Sequence, residues 1–177
     1  MIFPYKWGII LPCCVIKCQN RTFSDINVTI IEFSGGGQMF SGMSNHSIDS
    51  KGRIVLPAKF REELGESFYL ARGFGNCCVQ VLSKEQFDSI SEKIHSLPMN
   101  KAMALQYIFT ASAVEVTPNA QGRVIIPQAL REYAELEGDA LVIGMDKRVE
   151  IWNKQKFNSF IASQDDVIDE ALSLLTL

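Results

Sequence analysis

The sequence has little of what a metal site, a disulfide scaffold or a membrane span requires. It contains two histidines, His46 and His95, and five cysteines in 177 residues, with no Cys-x-x-Cys pair. An odd number of cysteines that includes adjacent pairs suits neither a disulfide framework nor a zinc site, so we expect thiols in a reducing compartment. No apolar run reaches the roughly 20 residues of a transmembrane helix, which excludes a spanning segment.

Neither sign of charge is in large excess. Charged residues make up 21% of the chain, hydrophobic residues 47%, and the net charge is −3. This composition provides a packed core and is too poor in charge for intrinsic disorder. Residues 1–38 carry a net charge of +1, residues 161–177 carry −4, and the stretch between them is neutral. Because no global basic field exists, any nucleic-acid binding has to come from a local patch.

The chain does contain an internal repeat with an offset of seventy residues. The segment Asp-Ser-Lys-Gly-Arg-Ile-Val-Leu-Pro at 49–57 returns at 119–127 as Asn-Ala-Gln-Gly-Arg-Val-Ile-Ile-Pro. The segment at 79–87 returns at 149–157, with valine first and phenylalanine last in both. One offset kept over such a stretch indicates two copies of one module.

Each copy predicts a turn, short strands and a short helix. Gly52 supplies the positive φ of a turn, and Asp49 can bond its side chain to nearby backbone amides. A β-branched strand follows, and Pro57 begins a helix over 58–64. A core of this size is marginal by itself, so we expect the copies to pair with each other or across chains.

Further helices are predicted around the repeated segments. Ser83 and Gln86 form a capping box at a helix start, and Asn153 caps the matching helix of the second copy. The segment 100–113 is predicted as a connecting helix. Apolar spacing after Phe160 indicates an amphipathic C-terminal helix with an acidic outer face. We expect that helix to pack on its own domain, with a partner-binding tail as the alternative.

Residues 1–38 match neither copy. Lys6 and the apolar run behind it are similar to the core of a signal peptide, but no small-x-small cleavage site follows. The Gly-Gly-Gly run at 35–37 would be encoded by purine-rich codons, at the distance where a bacterial ribosome-binding sequence precedes a start codon. Our hypothesis is that Met39 is the true start and that 1–38 is a translated leader, with a native extension as the alternative.

The opening residues and the two turns together carry a family resemblance. They are Met-Phe-Ser-Gly at 39–42, Asp49 to Arg53 with Pro57, and Gly122-Arg123 with Pro127. This set resembles the bacterial MraZ family over residues 39 to about 175. The resemblance is specific because it involves two modules, their spacing and the opening residues at once.

The resemblance implies an α+β fold that is rich in β-structure. MraZ proteins belong to the AbrB/SpoVT-like superfamily, so two tandem swapped-hairpin β-barrel modules are expected, with connecting and C-terminal helices. The expected bounds are 43–85 for the first module, 86–113 for the helical connector, 114–157 for the second module and 158–177 for the acidic C-terminal helix.

The resemblance also implies a function. Members of the family regulate transcription of the division and cell-wall gene cluster, form rings of many subunits and bind repeated short promoter boxes. The implied partners are therefore double-stranded DNA and further copies of the chain, with no cofactor and no membrane. The implied location is the cytoplasm, in association with the nucleoid.

The family contacts DNA through a D-x-x-x-R motif in each module. The first motif is intact from Asp49 to Arg53, whereas the second has Asn119 where aspartate is expected, which removes a charge and any salt bridge it makes. For Asp49 and Asn119 we favour turn capping over direct contact with DNA. The candidate DNA-binding residues are Asp49, Lys51, Arg53, Asn119 and Arg123. The candidates for supporting phosphate contacts are Lys59, Arg61 and Arg131.

The physical chemistry of the two arginines agrees with this implication. A two-stranded β-ribbon fits the major groove, and a two-pronged arginine contact with guanine contributes about 1–3 kcal/mol of discrimination. Arg53 and Arg123 follow turn glycines and can project from such a ribbon. Phosphate contacts position a protein without specifying sequence. Because the first copy has more basic neighbours, we expect it to bind DNA more strongly.

The sequence leaves two other functions open. An assembly or antitoxin-like protein would use the same fold to bind a protein partner, although toxin-binding members of the superfamily usually have one module and a long tail. An enzyme would need a nucleophile or an acid–base constellation, and this sequence offers scattered thiols and two isolated histidines. A sequence-specific DNA-binding regulator is the leading hypothesis.

Overall fold

The structure is a computed structural model and describes residues 39–75 and 77–175. The hypothesis that 1–38 is a leader lies outside the described residues. The strands are β1 Phe40–Ser47, β2 Arg53–Val55, β3 Phe68–Arg72, β4 Val79–Leu82, β5 Val114–Val116, β6 Arg123–Ile125, β7 Asp139–Asp146 and β8 Arg148–Asn153. The helices are α1 Ala58–Leu64, α2 Lys84–His95, α3 Met99–Ile108, α4 Gln128–Ala134, α5 Lys154–Ala162 and α6 Asp165–Leu174, with a 3-10 turn at Thr110–Ser112.

Two halves of the chain share one antiparallel sheet of six strands. The first half contains β1–β4 with α1–α3, the second β5–β8 with α4–α6, and the strand order is β1-β7-β8-β4-β3-β5. The first strand of each half pairs with the third strand of the other half, and β4 pairs with β8 at the centre. The strands β2 and β6 form a separate antiparallel pair, which we call the ribbon. The predicted α+β class is confirmed, and the halves pair within one chain.

One buried cluster joins the ribbon, the two shortest helices and the sheet. Ile54 and Val124, the middle residues of the ribbon, are 1% and 2% exposed. They belong to the same cluster as Phe60 of α1, Leu130 of α4 and Ile151 of β8. Burial of an aliphatic or phenylalanine side chain contributes about 1.5–3 kcal/mol, so this cluster fixes the ribbon on the body of the protein.

Helices α2, α3 and α5 cover other side chains of the sheet. Leu82 packs with Ala102 and Phe109 in a cluster under α2 and α3, whereas Trp152 packs against Phe157 and Phe160 of α5. The neighbouring residues in β4 and β8 belong instead to the buried cluster that joins the ribbon to the sheet. The alternation follows from the strand geometry, since successive side chains point to opposite faces.

Several local predictions are confirmed at residue level. Helix α1 spans Ala58–Leu64 and ends at Gly65, whose φ is +90°. Ser83 and Gln86 form the predicted capping box of α2. Asn153 accepts hydrogen bonds from the backbone at the start of α5. These elements depend on neighbours within four residues, which is why local sequence predicts them.

The connecting helix is shorter than the predicted 100–113. Helix α3 begins at Met99 and ends at Ile108, and the 3-10 turn follows. Phe109 lies at the end of the helix, where its side chain is fully buried and stacks on Phe74 and Phe87, with ring centroids 4.9 and 5.3 Å away.

The expectation that the C-terminal helix packs on its own domain is wrong. Helix α6 lies over Asp165–Leu174 and has no buried residue. Val167, Ile168 and Leu172 of its apolar side are 58%, 41% and 51% exposed. The helix is amphipathic as predicted, but apart from Ile168, which lines a cleft with Phe157 and Ile161 of α5, its apolar side is largely exposed.

Candidate nucleic-acid interface

The turn before β2 is held together by the side chain of Asp49. Its Oδ1 accepts hydrogen bonds from the backbone N–H groups of Lys51 and Arg53, both at 2.9 Å. Gly52 has a φ of +73°, a conformation that costs glycine little and other residues more. The N–H of Gly52 donates to the carbonyl of Asp49 at 2.8 Å. The carboxylate therefore organises the turn, as the sequence predicted.

The turn before β6 repeats this geometry with an amide in place of the carboxylate. Asn119 Oδ1 accepts hydrogen bonds from the N–H groups of Gln121 and Arg123, at 3.0 and 2.9 Å. Gly122 has a φ of +75° and donates its N–H to the carbonyl of Asn119 at 2.8 Å. Because one acceptor oxygen is enough for this role, asparagine preserves the turn, as expected.

The two turns differ in the electrostatics of their arginines. Arg53 donates from Nε to Asp49 Oδ2 at 2.7 Å and forms an ion pair. Arg123 is exposed, and no carboxylate in the described part of the chain pairs with it. The backbone N–H of Arg53, with further help from its guanidinium, lowers the pKa of Asp49 below its ordinary value. Asp49 is therefore a charged carboxylate at neutral pH.

Both arginines lie on the outer face of the ribbon. In the register, Arg53 is opposite Ile125 and Val55 is opposite Arg123. The middle pair is buried, so the flanking residues project to the other side. Arg53 and Arg123 are then diagonal neighbours, whose Cα atoms are roughly 7–8 Å apart in an antiparallel pair. The ribbon presents two guanidinium groups from different halves on one small surface.

Two exposed apolar side chains occupy the other diagonal of this face. Val55 is 40% exposed and Ile125 is 60% exposed. The candidate list from the sequence did not include them. Strand alternation around a buried middle residue was the signal that could have identified them.

The predicted phosphate-contact residues are placed unequally. Lys51 is exposed in the first turn and Lys59 is half-buried on α1. Arg61 and Arg131 are half-buried and donate from Nε to the backbone carbonyls of Leu56 and Ile126, both at 3.1 Å.

The potential metal-binding side chains of the described residues do not form a cluster. No group of three or more His, Cys, Asp and Glu side chains in residues 39–75 and 77–175 could hold a metal ion. Burial raises the pKa of the Cys78 thiol and lowers that of His46. None of the helices described here is long and apolar enough to cross a membrane.

The fold and the site together define a class: an α+β protein of two interlocked halves, whose paired turns bring two arginines onto one β-ribbon. The family model described as "MraZ protein, putative antitoxin-like" matches residues 39–106 and 109–173, segments that begin seventy residues apart. The chain belongs to the MraZ family, and the predicted family resemblance is confirmed.

Three similar proteins are all named transcriptional regulator MraZ. The protein from Caldanaerobacter subterraneus subsp. tengcongensis is 46% identical over 134 residues, which cover 75% of this chain and 93% of that protein. The protein from Acetivibrio thermocellus is 42% identical over 142 residues, covering 77% and 99%. The protein from Micrococcus luteus is 41% identical over 134 residues, covering 75% and 93%. The similarity thus spans nearly the whole length of these relatives.

Proposed function

We propose that this protein is a transcriptional regulator that binds promoter DNA with the outer face of the ribbon and its two turns. The observation that carries the proposal is the placement of Arg53 and Arg123 as diagonal neighbours on one exposed two-stranded surface. Relatives at 41–46% identity named as transcriptional regulators support the regulatory role. The target we propose is the division and cell-wall gene cluster, in the cytoplasm at the nucleoid.

The dimensions and chemistry of the ribbon suit the major groove. That groove admits a two-stranded ribbon, and arginine reads guanine through its O6 and N7 atoms. Asp49 holds Nε of Arg53, and in the described chain no residue accepts a hydrogen bond from its terminal Nη nitrogens. The ion pair therefore orients the side chain and leaves a donor pair for a base. Arg123 has the same reach with more rotational freedom.

The apolar diagonal of the ribbon supplies a second kind of contact. Val55 and Ile125 flank the arginines on the exposed face. Apolar side chains in the major groove contact the C5-methyl group of thymine. We propose that the ribbon reads guanine with its arginines and favours a neighbouring thymine through these two residues.

Basic residues near the turns would place the ribbon on the backbone of the DNA. Lys51 is exposed next to the arginine face, and Lys59 lies on α1, directly after the ribbon strand. We propose phosphate contacts for both residues, which fix position without reading sequence. The same role was predicted for Arg61 and Arg131, whose Nε atoms donate to backbone carbonyls.

We also propose that the two halves are AbrB/SpoVT-like swapped-hairpin modules. Their bounds would be 43–85 and 114–157, with 86–113 as the connector and 158–177 as the acidic C-terminal helix. The exchange of first strands between the halves supports this division. It explains why the two reading turns come from distant parts of the sequence and still share one ribbon.

The final part of the proposal is assembly into a ring of several copies. A neutral central stretch with few basic groups per turn binds phosphate weakly, and linked binding sites raise affinity by roughly 10²–10⁴. Exposed apolar side chains on two helices offer surfaces for neighbouring copies. They are Met99, Met103 and Tyr107 on α3, at 80%, 46% and 72% exposure, and Val167, Leu172 and Leu174 on α6, at 58%, 51% and 79%.

An antitoxin-like protein that binds a protein partner is the second candidate. The description of the matching family contains that term, and the largely exposed apolar side of α6 is suited to a partner. This candidate places the functional surface on α6 and leaves the ribbon arginines without a role. The two candidates are therefore separated by whether the ribbon arginines are needed.

The experiment is a gel shift on the DNA upstream of the protein's own gene, with unrelated DNA as competitor. We expect specific binding by the unmodified chain and its loss in the double variant Arg53→Ala, Arg123→Ala. The double variant Lys84→Ala, Lys93→Ala removes the same charge from exposed positions of α2 and should bind normally. Binding that survives loss of both arginines would rule out the ribbon as the reading surface.

A further inference from the structure

Each half of the protein places an arginine against the turn of the other half. Arg131 of α4 belongs to the second half, and its guanidinium lies directly beneath Gly52 of the first turn. A Cβ atom on Gly52 would be 2.6 Å from Nε and 2.8 Å from Cζ of Arg131. Real Cβ atoms essentially never come this close to another atom, so a side chain at position 52 would require the guanidinium to shift.

The second turn repeats this contact with the halves exchanged. A Cβ atom on Gly122 would be 2.6 Å from Nε and 2.7 Å from Cζ of Arg61, which lies on α1 of the first half. The matching distances show that the contact occurs twice with the halves exchanged, as the strand pairing does. A chance approach of one flexible side chain would not recur in the other half.

Backbone hydrogen bonds tie the same elements together. The N–H of Ile126 donates to the carbonyl of Gly52 at 2.9 Å, and the N–H of Leu56 donates to the carbonyl of Gly122 at 3.1 Å. Arg131 Nε donates to the carbonyl of Ile126, so guanidinium, strand end and opposite turn form one connected unit. Arg61 makes the equivalent bond to Leu56.

We infer that Arg61 and Arg131 are positioning residues, each holding the DNA-reading turn of the opposite half. The inference rests on the proposed function and specifies how the two reading turns are controlled. Arg131 sets the turn that orients Arg53, and Arg61 sets the turn that orients Arg123. The reading surface is then complete only when both halves are folded against each other.

Chemistry distinguishes this role from the phosphate contact predicted from the sequence. A phosphate contact needs a positive charge, which lysine also supplies. Packing under a glycine while donating from Nε needs the flat, forked guanidinium, which lysine lacks. Arg131→Lys and Arg61→Lys therefore keep the charge and remove the proposed role. Loss of a phosphate contact would weaken binding to all sequences and lower the salt slope by about one.

The test is a pair of double-mutant cycles on specific promoter binding. Arg131→Lys should weaken binding in the Arg123→Ala background as much as in the unmodified protein. Arg131→Lys should add little to the loss already caused by Arg53→Ala, because the turn that Arg131 holds then has no arginine to contact a base. Arg61→Lys should weaken binding in the Arg53→Ala background as much as in the unmodified protein, and it should add little to the loss caused by Arg123→Ala. The salt slope and the affinity for unrelated DNA should stay unchanged in both lysine variants.

Three outcomes would overturn the inference. Lysine variants that bind specific DNA as the unmodified protein does would show that charge alone matters. Equal losses in both alanine backgrounds would indicate an independent contact. Coupling of Arg131 to Arg123, within one half, would contradict the exchange of turns between halves.

A measurement without DNA separates this inference from the proposed function. Hydrogen exchange of the backbone N–H groups of Lys51 and Arg53 should accelerate in Arg131→Lys, while those of Gln121 and Arg123 stay unchanged. If the unmodified protein fails to bind promoter DNA, the proposed function fails. The exchange rates still show whether Arg131 holds the turn of the other half. Unchanged exchange in both turns would refute the coupling.

The unmodified protein provides a test that cannot be lost through misfolding of a variant. The Nε–H groups of Arg61 and Arg131 donate to backbone carbonyls, so their NMR signals should be protected from exchange. They should shift little when DNA is added, since they face protein and not phosphate. Rapid exchange of these signals, or large shifts with DNA, would contradict the positioning role.

Discussion

Asp49 bonds to Arg53 twice, accepting the backbone N–H at Oδ1 and the guanidinium Nε at Oδ2, at 2.9 and 2.7 Å. One carboxylate thus sets both the turn and the direction of the side chain that projects from it. In the second half Asn119 retains the first of these bonds and lacks the charge for the second. The two turns have nearly the same backbone and differently restrained arginines.

Exchanging these two acceptors should exchange the properties of the turns. In Asp49→Asn the amide oxygen still accepts the backbone bonds, so the fold should be retained while Arg53 loses its ion pair. Because the pair is exposed to solvent, its loss should change stability little. We expect specific DNA affinity to fall by up to about fivefold, because Arg53 is no longer held in one orientation. Measurement of stability by urea denaturation and of affinity by fluorescence anisotropy checks both parts.

The reciprocal variant Asn119→Asp serves as the matched comparison. It should give Arg123 a carboxylate partner and restrain its side chain, with no loss of fold. Affinity should rise or stay level, in contrast to Asp49→Asn. A loss of affinity in Asn119→Asp would mean that the added negative charge repels DNA more than the new ion pair helps.

The pKa of Asp49 provides a prediction that does not depend on DNA. The carboxyl carbon of Asp49, followed by NMR, should titrate below the ordinary value of 3.8 because two backbone N–H groups and Arg53 favour the charged form. A carboxyl whose pKa is lower in the folded state stabilises the fold above its unfolded pKa. That contribution is present at neutral pH and is lost as the pH falls through the folded value.

Arg53→Ala should raise this pKa only part of the way to its ordinary value. The backbone N–H of residue 53 is the largest cause of the depression and remains after truncation of the side chain. Arg123→Ala, which changes the other turn, should leave the titration of Asp49 unchanged. A full return to the ordinary value in Arg53→Ala would show that the guanidinium, and not the backbone, depresses the pKa.

The two ribbon arginines should contribute unequally to specific binding. Arg53→Ala should cause the larger loss and leave specific binding weak but measurable, because Arg53 is already oriented by Asp49 and has Lys51 beside it. Arg123→Ala should weaken binding less, since an unpaired side chain loses more freedom when it binds. Circular dichroism and subunit number should be unchanged in both variants. The opposite ranking in a promoter gel shift would identify the second half as the principal reader.

Gly52 should tolerate alanine less well than Gly138 does. Both have a positive φ, +73° and +68°, and alanine there costs about 1–2 kcal/mol from the backbone alone. A Cβ atom at Gly138 meets nothing within 4 Å, whereas at Gly52 it meets the guanidinium of Arg131. The free energy of unfolding, measured with urea, should therefore fall further in Gly52→Ala. Equal losses would show that Arg131 moves away without cost.

Much of the candidate site could be predicted because it is built from short-range interactions. These interactions act within a few positions of the sequence. They are a glycine with positive φ in the turn, an Asp or Asn side chain that accepts hydrogen bonds from the amides two and four residues later, and a proline before the helix. Strand alternation would likewise have identified Val55 and Ile125 as exposed. The family resemblance added the role of the motif, which no local rule supplies.

The interlocking of the halves could not be predicted from such local rules. The repeat showed that two modules exist, and the size of each indicated pairing, but not which strand exchanges with which. The position of Arg131 under Gly52 depends on that exchange, and the sequence spacing of 79 residues contains no sign of it. The prediction that α6 would be buried failed for the same reason. An amphipathic pattern shows that a helix has an apolar side, but it does not show which element packs against that side.

The assembly proposed above makes a prediction about DNA with several boxes. Each phosphate contact adds about one unit of salt dependence, and one turn offers few such contacts. When modules are linked in a ring, the second and third contacts become intramolecular, so a promoter fragment with repeated boxes should bind far more tightly than a single box. Its salt slope should also be steeper. Titrations of one-box and several-box fragments at a series of salt concentrations measure both quantities.

The spacing of the boxes provides the control for this multivalent binding. Boxes that repeat in phase with the DNA helix present the same face to neighbouring modules, whereas an insertion of roughly 5 bp turns the next box to the far side. That insertion should remove most of the gain, and one of roughly 10 bp should restore part of it, because the face is recovered while the distance grows. If one isolated box binds as tightly as the full array, the ring mechanism is wrong even though the ribbon still reads DNA.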